Sequence, residues 1–341
     1  MKTIRYSVLD QTQMRSDLNA HEVFEESVEL AQYAESLGFT RYWFSEHHNS
    51  RTLAGGSPEI LIARIGQVTK TIKLGSGGIM LPNHSTLRIA EHFKVLEAMY
   101  PNRIDLGIGR APGGDRQTAQ LLNPSNTFDP KQYVQQIAEL QFYFNVEEQK
   151  KPGNIKAIPV IDTAPSIWML TSSGESAYLA AHFGVPISFA QFISPYGVPE
   201  ALNGYRESFK PSIQSASPQT MVSFFAFCSE DETEVHAIGT MMDYRLLSFE
   251  KGRFEEIPTI EAALDYPYND YDRARILENR KRMIVGTPAQ VKAQIQKVIE
   301  ETDAEEIMFA TMTETKEQRF ESYRLFAKVI NEINDELKLE K

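Results

Sequence analysis

Four short clusters in this chain carry side chains or bare backbone suited to chemistry. Glu46-His47-His48 directly follows the β-like run Arg41-Tyr42-Trp43-Phe44-Ser45. An imidazole ionises near pH 6.5, so a histidine there can serve as acid or base; the alternative is that the pair only hydrogen-bonds loop backbone. No other His, Cys, Asp or Glu stands at a recognised ligand spacing to these two, so no metal is expected. The second cluster is Gly75-Ser76-Gly77-Gly78-Ile79-Met80-Leu81-Pro82. Glycines weaken a strand unless something must approach the backbone closely. A flat ring lying on bare backbone meets that condition, and so does a bulge or tight barrel packing.

The third cluster, Leu106-Gly107-Ile108-Gly109-Arg110-Ala111-Pro112-Gly113-Gly114, superficially suggests a dinucleotide loop. It leads into Arg110-Ala111-Pro112 and not into a helix, which argues against the Rossmann fingerprint. Arg110 can grip a phosphate as a charge-assisted fork, or make a surface salt bridge. The fourth, Thr171-Ser172-Ser173-Gly174-Glu175-Ser176, precedes a helical run through Tyr178, Leu179, Ala181 and His182. The free amides and positive end of such a helix suit a phosphate, and the hydroxyls of Ser172, Ser173 and Ser176 add donors. A capping box of Ser172 with Glu175 explains the same letters, and Glu175 repels a phosphate unless it turns away.

These clusters need a scaffold that brings four strand ends together. Short β-like runs alternate with stretches of helical period, as a parallel sheet with helical crossovers requires. Eight strands are expected, at residues 4–9, 41–45, 72–81, 103–107, 167–171, 186–190, 220–227 and 306–309. Val23, Phe24, Ser27, Leu30, Ala31, Ala34 and Leu37 recur at helical spacing, and Gly38 closes that helix. Thr287-Pro288-Ala289-Gln290 opens the last crossover as cap, N1 residue and back-reaching amide, with Val291, Ile295, Val298 and Ile299 as its stripe. The expected fold is α/β: one (β/α)8 TIM barrel over residues 1–341, with rim insertions at 145–165 and 250–282. The second insertion is expected to be a long loop near the active-site mouth, either a lid or plain solvated chain. All four clusters then fall on the C-terminal face, where barrel enzymes build their sites.

With a net charge of −11, the surface repels a polyphosphate backbone, so no nucleic-acid partner is expected. The single cysteine, Cys228, excludes an internal disulfide and fits a reducing compartment; its apolar neighbours predict a buried, inert thiol. No apolar stretch reaches the roughly 20 residues that span a bilayer, and the N-terminal residues lack a secretory apolar segment. A cytoplasmic protein without a membrane partner is the expectation.

Taken together the clusters resemble the bacterial luciferase-like family of flavin-dependent monooxygenases, over nearly the whole chain and most clearly from Phe39 to Gly114. The likeness is to uncharacterised luciferase-like oxidoreductases, so light emission is not implied. The resemblance implies that His47 serves the flavin chemistry, and that Gly77-Gly78 is a non-prolyl cis peptide beneath the isoalloxazine. It further implies that Arg110, Ser172, Ser173, Gly174 and Ser176 hold the FMN phosphate. Where bacterial luciferase has a reactive cysteine before the arginine, this chain has Gly109. The implied reaction uses FMNH2 from a separate flavin reductase, activates O2 as a C4a-peroxyflavin, and oxygenates a small organic substrate of unspecified identity. Two alternatives remain open at this point: a flavin or deazaflavin dehydrogenase, and a non-catalytic flavin-binding protein. A homodimer through residues 58–69 and 86–99 is also implied, although the stripes Ile62, Ile65, Val68 and Ile89, Phe93, Leu96 can equally face the barrel.

Overall fold

The structure is a computed structural model that describes residues 3–339, apart from 112, 126, 128, 254 and 256. Pro112 of the third cluster, and Met1 and Lys2 at the start of the chain, therefore lie outside the described residues. Nine strands follow in chain order: β1 (Arg5–Asp10), β2 (Arg41–Phe44), β3 (Lys73–Met80), β4 (Ile104–Gly109), β5 (Ser166–Thr171), β6 (Ile187–Ala190), β7 (Thr220–Cys228), β8 (Met283–Gly286) and β9 (Glu306–Thr311). β1 to β7 pair in sequence, β7 pairs with β9 and β9 with β1, all parallel, so eight strands close a (β/α)8 barrel.

β8 is the strand that the sequence pattern does not announce. It pairs with Phe225–Cys228 of β7, beyond the Thr220–Ser223 stretch that pairs with β6. Its four residues, Met-Ile-Val-Gly, are too few to show a period and acquire their pairing only from the overhanging end of β7.

The helices form where cap and stripe coincide. Asn19 and Glu22 cap the helix Ala20–Ser36 reciprocally, Val23, Leu30, Ala31 and Ala34 are buried, and Gly38 takes a φ of 83° just past its end. At Pro288–Thr302 the Gln290 side chain accepts from the Thr287 N–H at 2.9 Å, and Val291 and Ile295 face the barrel. The helices Pro58–Gly66 and Thr86–Met99 turn Ile62, Ile65, Ile89, Phe93 and Leu96 into the core, so those stripes belong to the barrel and not to a partner. Outward they present Ile60, Val95 and Met99.

Residues 250–282 are not the long loop that proline and tyrosine content suggests. They hold helices Ile260–Asp265 and Asp270–Asn279, started by Thr259 and Asn269 side chains that accept from Ala262 N–H at 3.1 Å and Asp272 N–H at 2.9 Å. Each helix is too short for its apolar spacing to stand out. Both pack on the long helix Glu232–Glu250 that follows β7.

Inside the barrel, the N-terminal end is closed by charge. Arg41 Nη1 reaches Asp105 Oδ2 at 2.6 Å and its Nε reaches Glu306 Oε1 at 2.9 Å, while Trp43 Nε1 donates to the same Asp105 oxygen at 3.1 Å. Arg5 completes the pairing of Glu306 at 3.0 Å. Toward the C-terminal end the interior becomes apolar, through Leu9, Trp43, Trp168, Met221, Phe225 and Met308, with Met241 and Met242 of helix Glu232–Glu250 packed on top.

Candidate active site

A cavity of about 630 Å³ opens at the C-terminal strand ends, and His47, Gly77, Gly78, Arg110, Ser172, Ser173 and Ser176 all line it. Of the site residues read from sequence, Gly174 alone is absent from the lining, because it starts the helix Gly174–Phe183 behind the serines.

The glycine strand forms the floor. The Gly77–Gly78 peptide is cis, and the pairing register between β3 and β4 shifts between Gly77 and Ile79. A Cβ on Gly78 would lie 2.8 Å from the Gly107 carbonyl oxygen and 2.4 Å from Leu170; one on Gly107 would lie 2.0 Å from the Ser76 carbonyl. Bulge, tight strand packing and an exposed backbone floor are therefore the same feature. Gly107-x-Gly109 lies within β4 itself, so these glycines serve strand packing and not a dinucleotide loop.

At one end of the cavity the third and fourth clusters meet. Arg110 Nη1 stands 3.7 Å from Glu175 Oε2, with both side chains largely exposed. The acidic residue that would repel a phosphate is thus turned to the arginine at the surface. Ser173 is the N-cap of the helix but makes no side-chain cap bond, and no Ser172–Glu175 capping box forms. Thr171 Oγ1 donates to the Ser173 carbonyl at 2.7 Å, fixing the turn. Arg110 and the start of the helix Gly174–Phe183 thus meet at one end of the cavity. Buried Tyr133, from helix Pro130–Phe144, lines the cavity beside them; burial raises its phenol pKa and the Arg110 charge opposes that rise.

At the other end is the Glu46-His47-His48 turn. Glu46 Oε1 accepts from His48 Nε2 at 2.8 Å and from His84 Nε2 at 2.9 Å, and Oε2 accepts from the Met80 N–H at 2.8 Å. Burial alone would raise this carboxyl; the two histidine hydrogen bonds, the His84 charge and the Met80 amide bring it down to about 2. Burial lowers His84 too, but the Glu46 hydrogen bond and charge outweigh it and His84 is raised. Glu46, His48 and His84 therefore lock the second strand's loop to the end of the glycine strand. His84 escapes a reading of the sequence because its partner lies 38 residues away.

His47 stands outside that clamp. Its Nδ1 shares a 3.1 Å hydrogen bond with Ser45 Oγ, and its Nε2 has no hydrogen-bond partner among the described residues. Burial, then the charge of Arg245, lowers its pKa to about 4, so the ring is neutral at pH 7. That departs from the near-neutral titration expected of an unperturbed histidine, and the cause, an arginine on the helix after β7, is invisible in the local sequence. Among the described residues no group of three His, Cys, Asp or Glu is arranged to hold a metal, and no helix is long and apolar enough to cross a membrane. Cys228 is buried, and burial pushes its thiol up to about 12, as expected for an inert side chain.

A parallel barrel with its cavity on the C-terminal face is the architecture of a barrel enzyme. The family model described as luciferase-like monooxygenase matches residues 4–306. The uncharacterized protein YwcH of Bacillus subtilis is 43% identical over 94% of this chain and 98% of its own. A luciferase-like monooxygenase of Escherichia coli is 34% identical over 97% and 98% respectively. The crystal structure of apo-MsnO8 superposes with a TM-score of 0.89 at 32% identity, covering 96% of this chain and 98% of that one. The chain belongs to the luciferase-like monooxygenase family. It is accordingly an enzyme of the monooxygenase class, whose reaction takes an organic substrate and O2.

Proposed function

We propose that the chain is an FMNH2-dependent monooxygenase that oxygenates a small organic substrate, with reduced flavin supplied by a separate reductase. The observation that carries this reading is the convergence of Arg110 with the uncapped helix start at Gly174 on one end of a cavity whose floor is the backbone of Gly77 and Gly78. A terminal phosphate suits the first feature and a flat ring the second, and about 630 Å³ lies within the usual range for cofactor sites. When bound, reduced flavin supplies the electrons that activate O2 at its C4a position; one oxygen atom enters the substrate and the other leaves as water.

The chain's own residues do the rest. Arg110 and the hydroxyls of Ser172, Ser173 and Ser176 bind the phosphate, with the Gly174 end of the helix adding its dipole. Leu9, Met80, Leu170, Phe192 and Met308 line the cavity with apolar surface and exclude water from the reacting region. His47, oriented by Ser45, presents Nε2 to the cavity and holds or transfers a proton there. Exposed Ile60, Val95 and Met99 give the helices at 58–66 and 86–99 an outer face for a homodimer. A cytoplasmic setting, where buried Cys228 stays reduced, accords with the reading.

The test is titration of purified protein with FMN and with FMNH2, followed by oxygen uptake and product assay across thioether, aldehyde and amine panels. We expect FMNH2 to bind and O2 consumption to accompany product formation. Substrate turnover under strict anaerobiosis would replace this reading with hydride transfer. In His47→Ala, stopped-flow spectra should show a shorter-lived oxygenated flavin and lower product yield; unchanged lifetime and yield would remove His47 from the chemistry.

A further inference from the structure

The deeper wall of the cavity is apolar, formed by Leu9, Trp43, Leu170, Phe192 and Met308. Two paired hydroxyls interrupt it. Ser188 of β6 and Ser223 of β7 line the same cavity, each 3% exposed, and their Oγ atoms share a hydrogen bond of 3.1 Å. Side chains alternate along a strand, and the neighbours Ile187, Phe189, Val222 and Phe224 pack into the layer between strands and helices, which leaves both serines facing the barrel interior. Strand pairing sets their depth. Leu170 is the register partner of Ser188, and a Cβ on Gly78 would meet Leu170 at 2.4 Å; Met308 is the register partner of Ser223. The serines thus stand at the level of the glycine floor and not at the rim. In the closed ring of eight strands, β7 lies four places from β3 and β6 four places from β2, so the hydroxyls face Gly77, Gly78 and His47 across the cavity.

Two serine hydroxyls carry two O–H donors. One is engaged within the pair, and neither side chain makes another hydrogen bond among the described residues. The second donor is open. Once a ligand has displaced water from an apolar space, an O–H without an acceptor is unfavourable, and an oxygen on the ligand removes that penalty. No charge competes there, because the charged residues of the described lining are engaged elsewhere. Glu46 is held by His48, His84 and the Met80 amide, Arg110 stands beside Glu175, and Asp129 starts the helix Pro130–Phe144 by accepting from the Lys131 N–H.

We infer that the Ser188–Ser223 pair is the polar contact for the organic substrate, and that this substrate is a neutral molecule with an apolar body and a carbonyl-type acceptor oxygen. The inference deepens the function proposed above and rests on the flavin ring occupying the Gly77–Gly78 floor. A ring lying there turns its free face toward β7. A substrate between the two has its oxygen held by the open serine proton and its body against Leu9, Leu170 and Met308. Apolar walls discriminate weakly between similar shapes, whereas a buried donor that must be satisfied discriminates strongly. The pair therefore selects for the oxygen and fixes which end of the substrate points away from the ring.

The experiment compares cyclohexanone with methylenecyclohexane, in which CH2 replaces the oxygen, by calorimetry on the purified protein with and without FMN. The ratio of the two affinities should fall about fivefold in Ser188→Ala/Ser223→Ala, through the ketone alone, as the loss of one neutral hydrogen bond predicts. In parallel, the infrared C=O stretch of isotope-labelled cyclohexanone should lie lower on wild type than in hexane, and return toward the hexane value on the double variant. Ser188→Gly/Ser223→Gly stands in if the alanine pair does not fold, and the wild-type stretch needs no variant at all. FMN affinity should be the same in wild type and the double variant. A wild type that takes up no ketone, an unchanged affinity ratio, or a hexane-like stretch on wild type overturns the inference. So does loss of FMN affinity in the double variant, which would make the serines a contact of the flavin. Failure of wild type to bind FMN at all sinks the flavin reading instead, and the ratio and the stretch measured without FMN then judge the serine pair separately.

Discussion

The two ends of the barrel treat charge in opposite ways. At the N-terminal end, Asp105 and Glu306 are fully buried and every one of them meets Arg41, with Trp43 and Arg5 adding further donors. At the C-terminal end, Arg110 has only a loose 3.7 Å contact with exposed Glu175, Arg245 has no partner among the described residues, and His47 keeps one nitrogen open. Ion pairs closed within the chain hold a fold in one arrangement; charges left open on a cavity can gain from a ligand. Inside the barrel the pairs are closed at the N-terminal end, whereas on the cavity at the other end Arg110 is loosely paired and His47 keeps a nitrogen open.

Breaking the sealed end should cost most. Arg41→Met strands two buried carboxylates and should lower unfolding free energy by about 3–5 kcal/mol, read from urea denaturation near pH 7. Retention of wild-type stability would mean that the buried pairs are not what closes that end.

Next in size is Glu46, which belongs to the open end yet is fully paired. Its folded-state pKa, about 2, is depressed, so its contribution is present above the ordinary carboxyl value near 4.5 and is lost as pH falls toward 2. The amount is on the order of 3 kcal/mol. His84 is raised, so its contribution is complete below about pH 6.5 and disappears as pH rises through its folded value. Glu46→Gln should flatten the acid limb of a stability–pH curve and return His84, followed by NMR, toward an ordinary imidazole. A variant with the wild-type acid limb would exclude this clamp.

Arg110→Ala sharpens the contrast from the other side. Its exposed, weak pairing predicts no change in Tm, whereas FMN affinity should fall by about 1.5–3 kcal/mol, the worth of a charge-assisted hydrogen bond. A drop in Tm with affinity intact would make it a structural residue. The smallest effect concerns Cys228: native protein at pH 8 should resist a thiol reagent, and become labelled only on unfolding, because burial holds the thiol up near 12. Labelling of the native protein at that pH would show the apolar interior to be open there.

Much of the architecture could be read directly from local pattern. Alternating apolar runs, the Asn19 and Thr287 helix starts and the glycine after Leu37 are short-range signals, and the structure places a strand or helix at each. The helices at 260–265 and 270–279 and strand β8 were not legible, because each is shorter than the window in which a period becomes visible. The candidate site divides similarly. His47, Gly77, Gly78, Arg110 and the serine turn stand out because they follow strands and have distinctive types. Tyr133, which lines the cavity, and His84, which pairs with Glu46 from outside its lining, do not, since nothing beside them in the chain marks them as part of the site.

What the sequence alone determined was composition at strand ends: which glycines, hydroxyls and histidines a barrel would bring to its rim. The tertiary structure decided which of them are satisfied. Pairing Glu46 with His84 and drawing the His47 proton away both depend on distances between residues tens to hundreds apart in sequence. Electrostatic energy depends on separation in space and on exclusion of water, and neither is written in the order of residues.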